Sequence, residues 1–179
     1  FEEETENCHI DLIDIKTGNS QIFAENADWP VWSDDNTSIM YVTGNQVFQK
    51  SLDDPGEPPM LLFKMDSAEY VQTHDLSQDG RYLPFTIGTW GKGSSIGYYD
   101  MINRKPKMLD YYNSSKWTHY PAISPDGKWV AFLSDLDGYV AVYVAPFPDP
   151  GRTTKVSIPR TRDGTSFPVW SRNSMALYY

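Results

Sequence analysis

The pentapeptide Gly93–Gly97 has the pattern G-x-S-x-G, which in α/β-hydrolases places a nucleophilic serine on a sharp turn between a strand and a helix. Catalysis by Ser95 would need that turn, and also a histidine and an acid held close to the hydroxyl. The residues that follow, Ile96–Tyr99, are typical of a β-strand instead of a helix. The sequence therefore predicts that Ser95 is a strand residue and not a nucleophile.

A second pattern, D-L-D-G at 135–138, resembles the start of a calcium-binding loop. The later ligands of such a loop are missing, so the pattern favours a hairpin turn. Cys8 is the only cysteine, which excludes an intrachain disulfide, and no Cys/His cluster has metal-ligand spacing. We therefore predict neither a metal site nor a cofactor.

The candidate binding residues stand just ahead of four copies of a short phrase in which Ser is followed two residues later by Asp or Asn. They combine aromatic rings with hydrogen-bonding groups, as ligand sites do. They are Asp28, Trp29, His74, His119, Tyr120, Ser166 and Phe167. Either these residues line the mouth of a central channel, or the aromatic ones only wedge neighbouring sheets together. Trp32 and Trp170, inside two of the phrases, are expected in the core between sheets.

Two further tryptophans, Trp90 and Trp117, occur in polar stretches rich in Gly, Ser and Lys. An aromatic residue on a projecting loop is a candidate contact for a partner. The alternative is that each ring folds down over the edge of a sheet.

The phrases themselves indicate the elements that hold these residues. Their serines are Ser33, Ser77, Ser124 and Ser171, at intervals of 44, 47 and 47 residues. That spacing is the length of one four-stranded propeller blade. Between the phrases lie second hairpins with Gly, Pro or Asn turns, and no segment has a helical apolar period. We predict an all-β propeller of four-stranded antiparallel blades, in one domain over 1–179, with about four blades present. The repeats are placed at 24–66, 67–112, 113–158, and 159–179 together with 9–23.

The Ser–Asp phrase is interpreted as turn chemistry. In the third copy, Pro125 presets φ, Asp126 accepts backbone N–H groups and Gly127 adopts positive φ. Carboxylates one blade apart could meet at an ion only on the axis of the ring. A structural role is therefore favoured for these aspartates over a metal role.

Charge limits the partners. The chain has 24 acidic and 15 basic residues, a net charge of −9, which repels a nucleic-acid backbone. No run of 18 apolar residues occurs, so we expect no membrane insertion by this segment.

The repeat resembles that of TolB-like β-propellers, which has the form S-x-D-G-(K/R) followed by apolar residues. Residues 124–132 match this form in full, and 77–83 match it closely. The segments 142–151 and 168–173 are similar to the propeller that follows the kinase domain in bacterial serine/threonine kinases. The resemblance implies a ring of six to eight blades, of which this chain would be part, and a periplasmic or extracytoplasmic location. Alternatively, the two ends of the chain pair into one shared blade.

The expected function is a noncatalytic module that binds a protein or peptide, alone or as the sensor part of a receptor. One alternative is a regulatory or substrate-gating propeller of an enzyme, either a bacterial serine/threonine kinase or a prolyl-oligopeptidase-type peptidase. Another is a small-molecule or glycan ligand at the channel mouth.

Overall fold

The computed structural model describes residues 8–54, 56–109, 117–149, 151–157 and 167–179, and these form sixteen strands and no helix. Three antiparallel four-stranded sheets follow one another, each with its strands side by side in chain order. A two-stranded hairpin precedes them and another follows them. This arrangement confirms the predicted all-β propeller of four-stranded blades.

The strand bounds are as follows. The first hairpin is β1 (His9–Ile13) and β2 (Ser20–Glu25). The first sheet is β3 (Asp28–Trp32), β4 (Ser38–Thr43), β5 (Gln46–Ser51) and β6 (Met60–Lys64). The second sheet is β7 (Tyr70–Thr73), β8 (Tyr82–Thr89), β9 (Gly93–Asp100) and β10 (Lys105–Met108). The third sheet is β11 (Thr118–Ile123), β12 (Trp129–Ser134), β13 (Ala141–Pro146) and β14 (Thr154–Lys155), and the last hairpin is β15 (Val169–Trp170) and β16 (Leu177–Tyr178).

The Ser–Asp phrase forms the same turn four times, between the first two strands of each sheet and in the last hairpin. In the third copy the Ser124 hydroxyl donates to the Asp126 carboxylate at 2.6 Å and accepts the Trp129 N–H at 3.0 Å. The carboxylate in turn accepts the Lys128 N–H at 3.2 Å. The side chains of Ser124 and Asp126 thus form hydrogen bonds within the turn, as the turn interpretation requires. The hydrogen bond from Ser124 is also the main reason that the pKa of Asp126 lies below its ordinary value.

The residue three positions after each serine has positive φ in all four turns. Gly80 and Gly127 both have φ of 67°, while Asn36 has 57° and Ser174 has 60°. The first and last copies therefore keep the left-handed conformation without glycine, at the steric cost that a Cβ brings.

The core lies between successive sheets. Val31, Val42, Val71, Leu83 and Phe85 are buried together where the first sheet meets the second. A second layer joins the second sheet to the third, and a third layer joins β1 and β2 to the first sheet. Each interface is apolar because alternate strand residues face the neighbouring blade.

Trp32 departs from the expected core position, because it is 50% exposed and lies beside the β1–β2 hairpin. Trp170 is half-buried, and its indole N–H donates across the blade boundary to the Ala122 carbonyl at 2.9 Å. The two tryptophans at equivalent positions thus differ because only Trp170 has a complete sheet beside it.

The two patterns considered as chemistry lie in a strand and in a hairpin turn. Ser95 lies within β9 opposite Ile87, and no histidine of the described ranges is hydrogen-bonded to it. The D-L-D-G segment is the turn between β12 and β13, closed by the Gly138 N–H bonded to the Asp135 carbonyl at 2.8 Å. Within the part of the chain that the structure covers, no three His, Cys, Asp or Glu side chains are placed to hold a metal ion. That part also has no helix with the length and apolar character to cross a membrane.

Candidate binding groove

An open groove of about 570 Å³ runs along the first strands of successive blades. Its walls come from β3, from the segment after β7, from β11 and from the residues around β15. We call this feature the groove. Its aromatic and polar lining residues include Trp29, Thr73, His74, Asp75, Gln78, Tyr120, Phe167 and Trp170.

The rings in the groove form a row across four blades. His74 lies between Trp29 and Tyr120, with ring centroids 6.4 Å and 5.6 Å away. Phe167 continues the row, with its centroid 4.2 Å from that of Tyr120. Trp29, Tyr120 and Phe167 each stand four residues before the serine of their phrase, and Thr73 occupies that place in the second blade. The equivalent position of each blade therefore projects into one common surface.

Two of these aromatic residues have an unusual backbone. Trp29 and Tyr120 have φ of 53° and 55°, a left-handed conformation that bulky residues rarely adopt. Each sits in a β-bulge, since two residues of β3 oppose one residue of β4, and the same holds for β11 and β12. A bulge re-aims a side chain, and strained residues of this kind concentrate at functional sites. Both features make the row of rings a candidate site.

The next blade along the chain fixes the first bulge. The hydroxyl of Thr73, which is almost fully buried, donates to the Trp29 carbonyl. The shape of the groove therefore depends on contacts between blades as well as within them.

His74 is neutral at pH 7. Burial, and secondarily the nearby His119, lower its pKa to about 4. Its Nε2 is hydrogen-bonded to the Thr86 hydroxyl at 3.0 Å. The groove therefore contains an uncharged imidazole among its rings.

Four more rings form a second group, which we call the upper cluster: Tyr70, Trp90, Trp117 and His119. Trp117 stacks on His119 with centroids 4.3 Å apart, and His119 Nε2 lies 3.3 Å from the Tyr70 hydroxyl. Trp90 is 73% exposed and packs against Tyr70, with the two ring centroids 4.6 Å apart. Trp117 thus folds down over its neighbours, whereas Trp90 projects.

The predicted site residues separate into distinct places. Trp29, His74, Tyr120 and Phe167 line the groove together. His119 is not among the groove-lining residues; it is only 5% exposed inside the upper cluster, and burial lowers its pKa to about 4. Two predicted site residues remain. Asp28 is exposed and does not line the groove, and Ser166 lies outside the described residues.

Sequence reasoning missed the two bulges and Asp75. The bulges depend on pairing with the partner strand, which has no local signal. Asp75 lies two residues before Ser77, a place that the other blades fill with Val31, Ala122 and Val169. Aligning the four phrases would have singled it out as the one charged residue at that position.

The sequence matches no protein-family model and no curated protein. Among solved structures, TolB from Acinetobacter baumannii matches 99% of this chain with a TM-score of 0.72 and 22% identity. An oligogalacturonate lyase in complex with manganese matches 94% of it with a TM-score of 0.74 and 14% identity. A prolyl endopeptidase matches 91% of it with a TM-score of 0.65 and 15% identity.

These matches cover 44%, 51% and 26% of the three proteins, respectively, so this chain spans about half of their length or less. At such identities the similarity establishes the fold. Function has to be argued from the site itself.

Proposed function

Because the chain has a TolB-like β-propeller fold, we propose that it is a noncatalytic module whose groove binds an extended segment of a protein or peptide. The observation that carries the proposal is the row of Trp29, Tyr120 and Phe167, three rings delivered to one surface by equivalent positions of different blades. Aromatic residues in a concave apolar surface are the usual anchors of such contacts. Its resemblance to TolB-like propellers supports the proposal of a periplasmic or other extracytoplasmic location.

Affinity selection of displayed peptides on the immobilised chain tests the proposal. Trp29→Ala and Phe167→Ala should each weaken binding of a selected peptide about tenfold or more, measured by fluorescence polarisation. Trp29 is 40% exposed and Phe167 is 60% exposed, so both variants should keep their fold. Trp129→Ala is the matched control, because that ring is also partly exposed but does not line the groove.

A substitution in the upper cluster can contradict the assignment of the binding site to the groove. If both groove variants bind as the parent chain does while Trp90→Ala abolishes binding, the partner contacts the projecting loop and the assignment of the groove is wrong.

A second candidate is a regulatory or substrate-gating propeller of a larger enzyme. It is favoured by the match of 91% of this chain to 26% of a prolyl endopeptidase. A coding sequence that continues into an α/β-hydrolase or kinase domain would support this candidate. A coding sequence that continues only into further blades would count against it.

A further inference from the structure

The described lining of the groove carries one formal charge. Asp75 is the only acidic residue among the described residues that line the groove, none of these is a lysine or arginine, and His74 is neutral. An anionic ligand would therefore find a carboxylate and no cation. A cationic ligand would find an opposite charge.

Asp75 is also uncommitted. It is exposed, and it makes no ion pair or hydrogen bond with any residue in the described ranges. Other aspartates have local partners: Asp126 is bound within its turn, and Asp100 pairs with Arg81 at 3.3 Å. The carboxylate in the groove is thus available to an outside group.

Several positions of the groove wall offer no free hydrogen-bond donor. Pro30, Pro121, Pro125 and Pro168 line it, and proline has no backbone N–H. The hydroxyl of Thr73 and the indole N–H of Trp170 already donate to backbone carbonyls. A carboxylate ligand needs donors from the protein, whereas a guanidinium brings five of its own.

The row of aromatic rings in the groove also favours a cationic ligand. Cations are attracted to the faces of Trp and Tyr rings, and a planar guanidinium also stacks on them. The rings of Trp29 and Phe167 are exposed, whereas Tyr120 is half-buried between them and the upper cluster.

We propose that the groove recognises an extended peptide by an arginine side chain, whose guanidinium pairs with Asp75 and packs on the aromatic row. This inference rests on the proposed peptide-binding function and adds the chemistry of the ligand. Flanking proline or leucine residues of the peptide would lie on the apolar remainder of the wall, where they leave no donor unpaired.

The test uses three labelled peptides with the same Pro and Leu flanks and a central Arg, citrulline or Glu. Citrulline has the shape of Arg without its charge. The Arg peptide should bind about five- to tenfold more tightly than the citrulline peptide, measured by fluorescence polarisation, and the Glu peptide should bind most weakly. Asp75→Asn should lower the affinity for the Arg peptide to the citrulline level and leave the affinity for the citrulline peptide unchanged.

Asp28→Asn is the matched control, because it removes the same charge from an exposed aspartate outside the groove. It should change neither affinity, because Asp28 does not line the groove. Both variants should unfold at the same denaturant concentration as the parent chain, since neither carboxylate is buried.

Three results would overturn the inference. Equal binding of the three peptides, still lost in Trp29→Ala, would leave the peptide-binding function standing and remove the selectivity for arginine. Sensitivity to Asp28→Asn in place of Asp75→Asn would move the charged contact out of the groove. Binding of an oligogalacturonide, with no binding of any peptide, would exclude both the arginine contact and the peptide function.

Discussion

Thr73 shows how a single side chain links two blades at the groove. It occupies the position at which the other blades carry an aromatic ring, and its hydroxyl bonds to the carbonyl of Trp29 in the preceding blade. The small side chain leaves room for the row of rings. The hydroxyl satisfies a backbone group that the bulge has removed from strand pairing.

Thr73→Val should destabilise the chain by about 1–2 kcal/mol, because the isosteric valine leaves the Trp29 carbonyl without its donor. The denaturant midpoint measures this loss, and a change in Trp fluorescence would report movement of Trp29. Thr73→Ser is the control, since it keeps the hydroxyl and loses only a methyl group. If both variants were equally destabilised, packing rather than the hydrogen bond would explain the effect.

At the scale of single residues, a feature could be predicted from the sequence when the residues that form it are close together in the chain. Ser124, Asp126 and Gly127 were predictable as a turn because their bonds join residues within five positions of one another. The burial of His119 was not predictable, because Tyr70 of another blade provides part of its environment. The positive φ of Trp29 and Tyr120 follows from pairing register, which no local pattern encodes.

Among the elements, the four Ser–Asp turns differ in how closely they approach their neighbours. A Cβ added at Gly80 would lie 2.7 Å from the Cβ of Asp34 in the preceding turn. A Cβ added at Gly127 would meet nothing within 4 Å, although both glycines have φ of 67°. Substitutions at these two glycines can therefore distinguish the cost of a side chain at positive φ from the cost of a contact between blades.

Gly127→Ala should lower the free energy of unfolding by about 1 kcal/mol, the cost of a Cβ in the left-handed region. Gly80→Ala should cost at least about 1 kcal/mol more, because the turns must also move apart. Chemical denaturation of the two variants makes the comparison. Adding Asp34→Gly should remove the difference between them, and a persistent difference would show that the contact between turns is not its cause.

At the level of the whole molecule, stability should fall between pH 7 and pH 5. Burial holds the pKa of His119 at about 4 in the folded chain, below its ordinary value of 6.5, and His74 behaves alike. The unfolded chain therefore binds more protons in this range, so stability decreases as the pH falls through it. For His119 the loss amounts to about 2 kcal/mol at pH 5.

Urea denaturation at pH 7 and pH 5 measures this dependence. His119→Phe keeps a ring against Trp117 and removes one titrating group, so its midpoint should change less between the two pH values than that of the parent chain. Carboxylates such as Asp126, whose pKa lies below 3.8, contribute only at lower pH. An unchanged pH dependence in the variant would mean that His119 does not titrate as its burial indicates.

The groove is assembled from strands of successive blades, each contributing one wall segment. A peptide lying along it would touch several blades at once, so its binding free energy would also oppose their separation. Occupancy would then act as a clamp on the arc of blades. The stiffness of this arc would then rise when the groove is occupied.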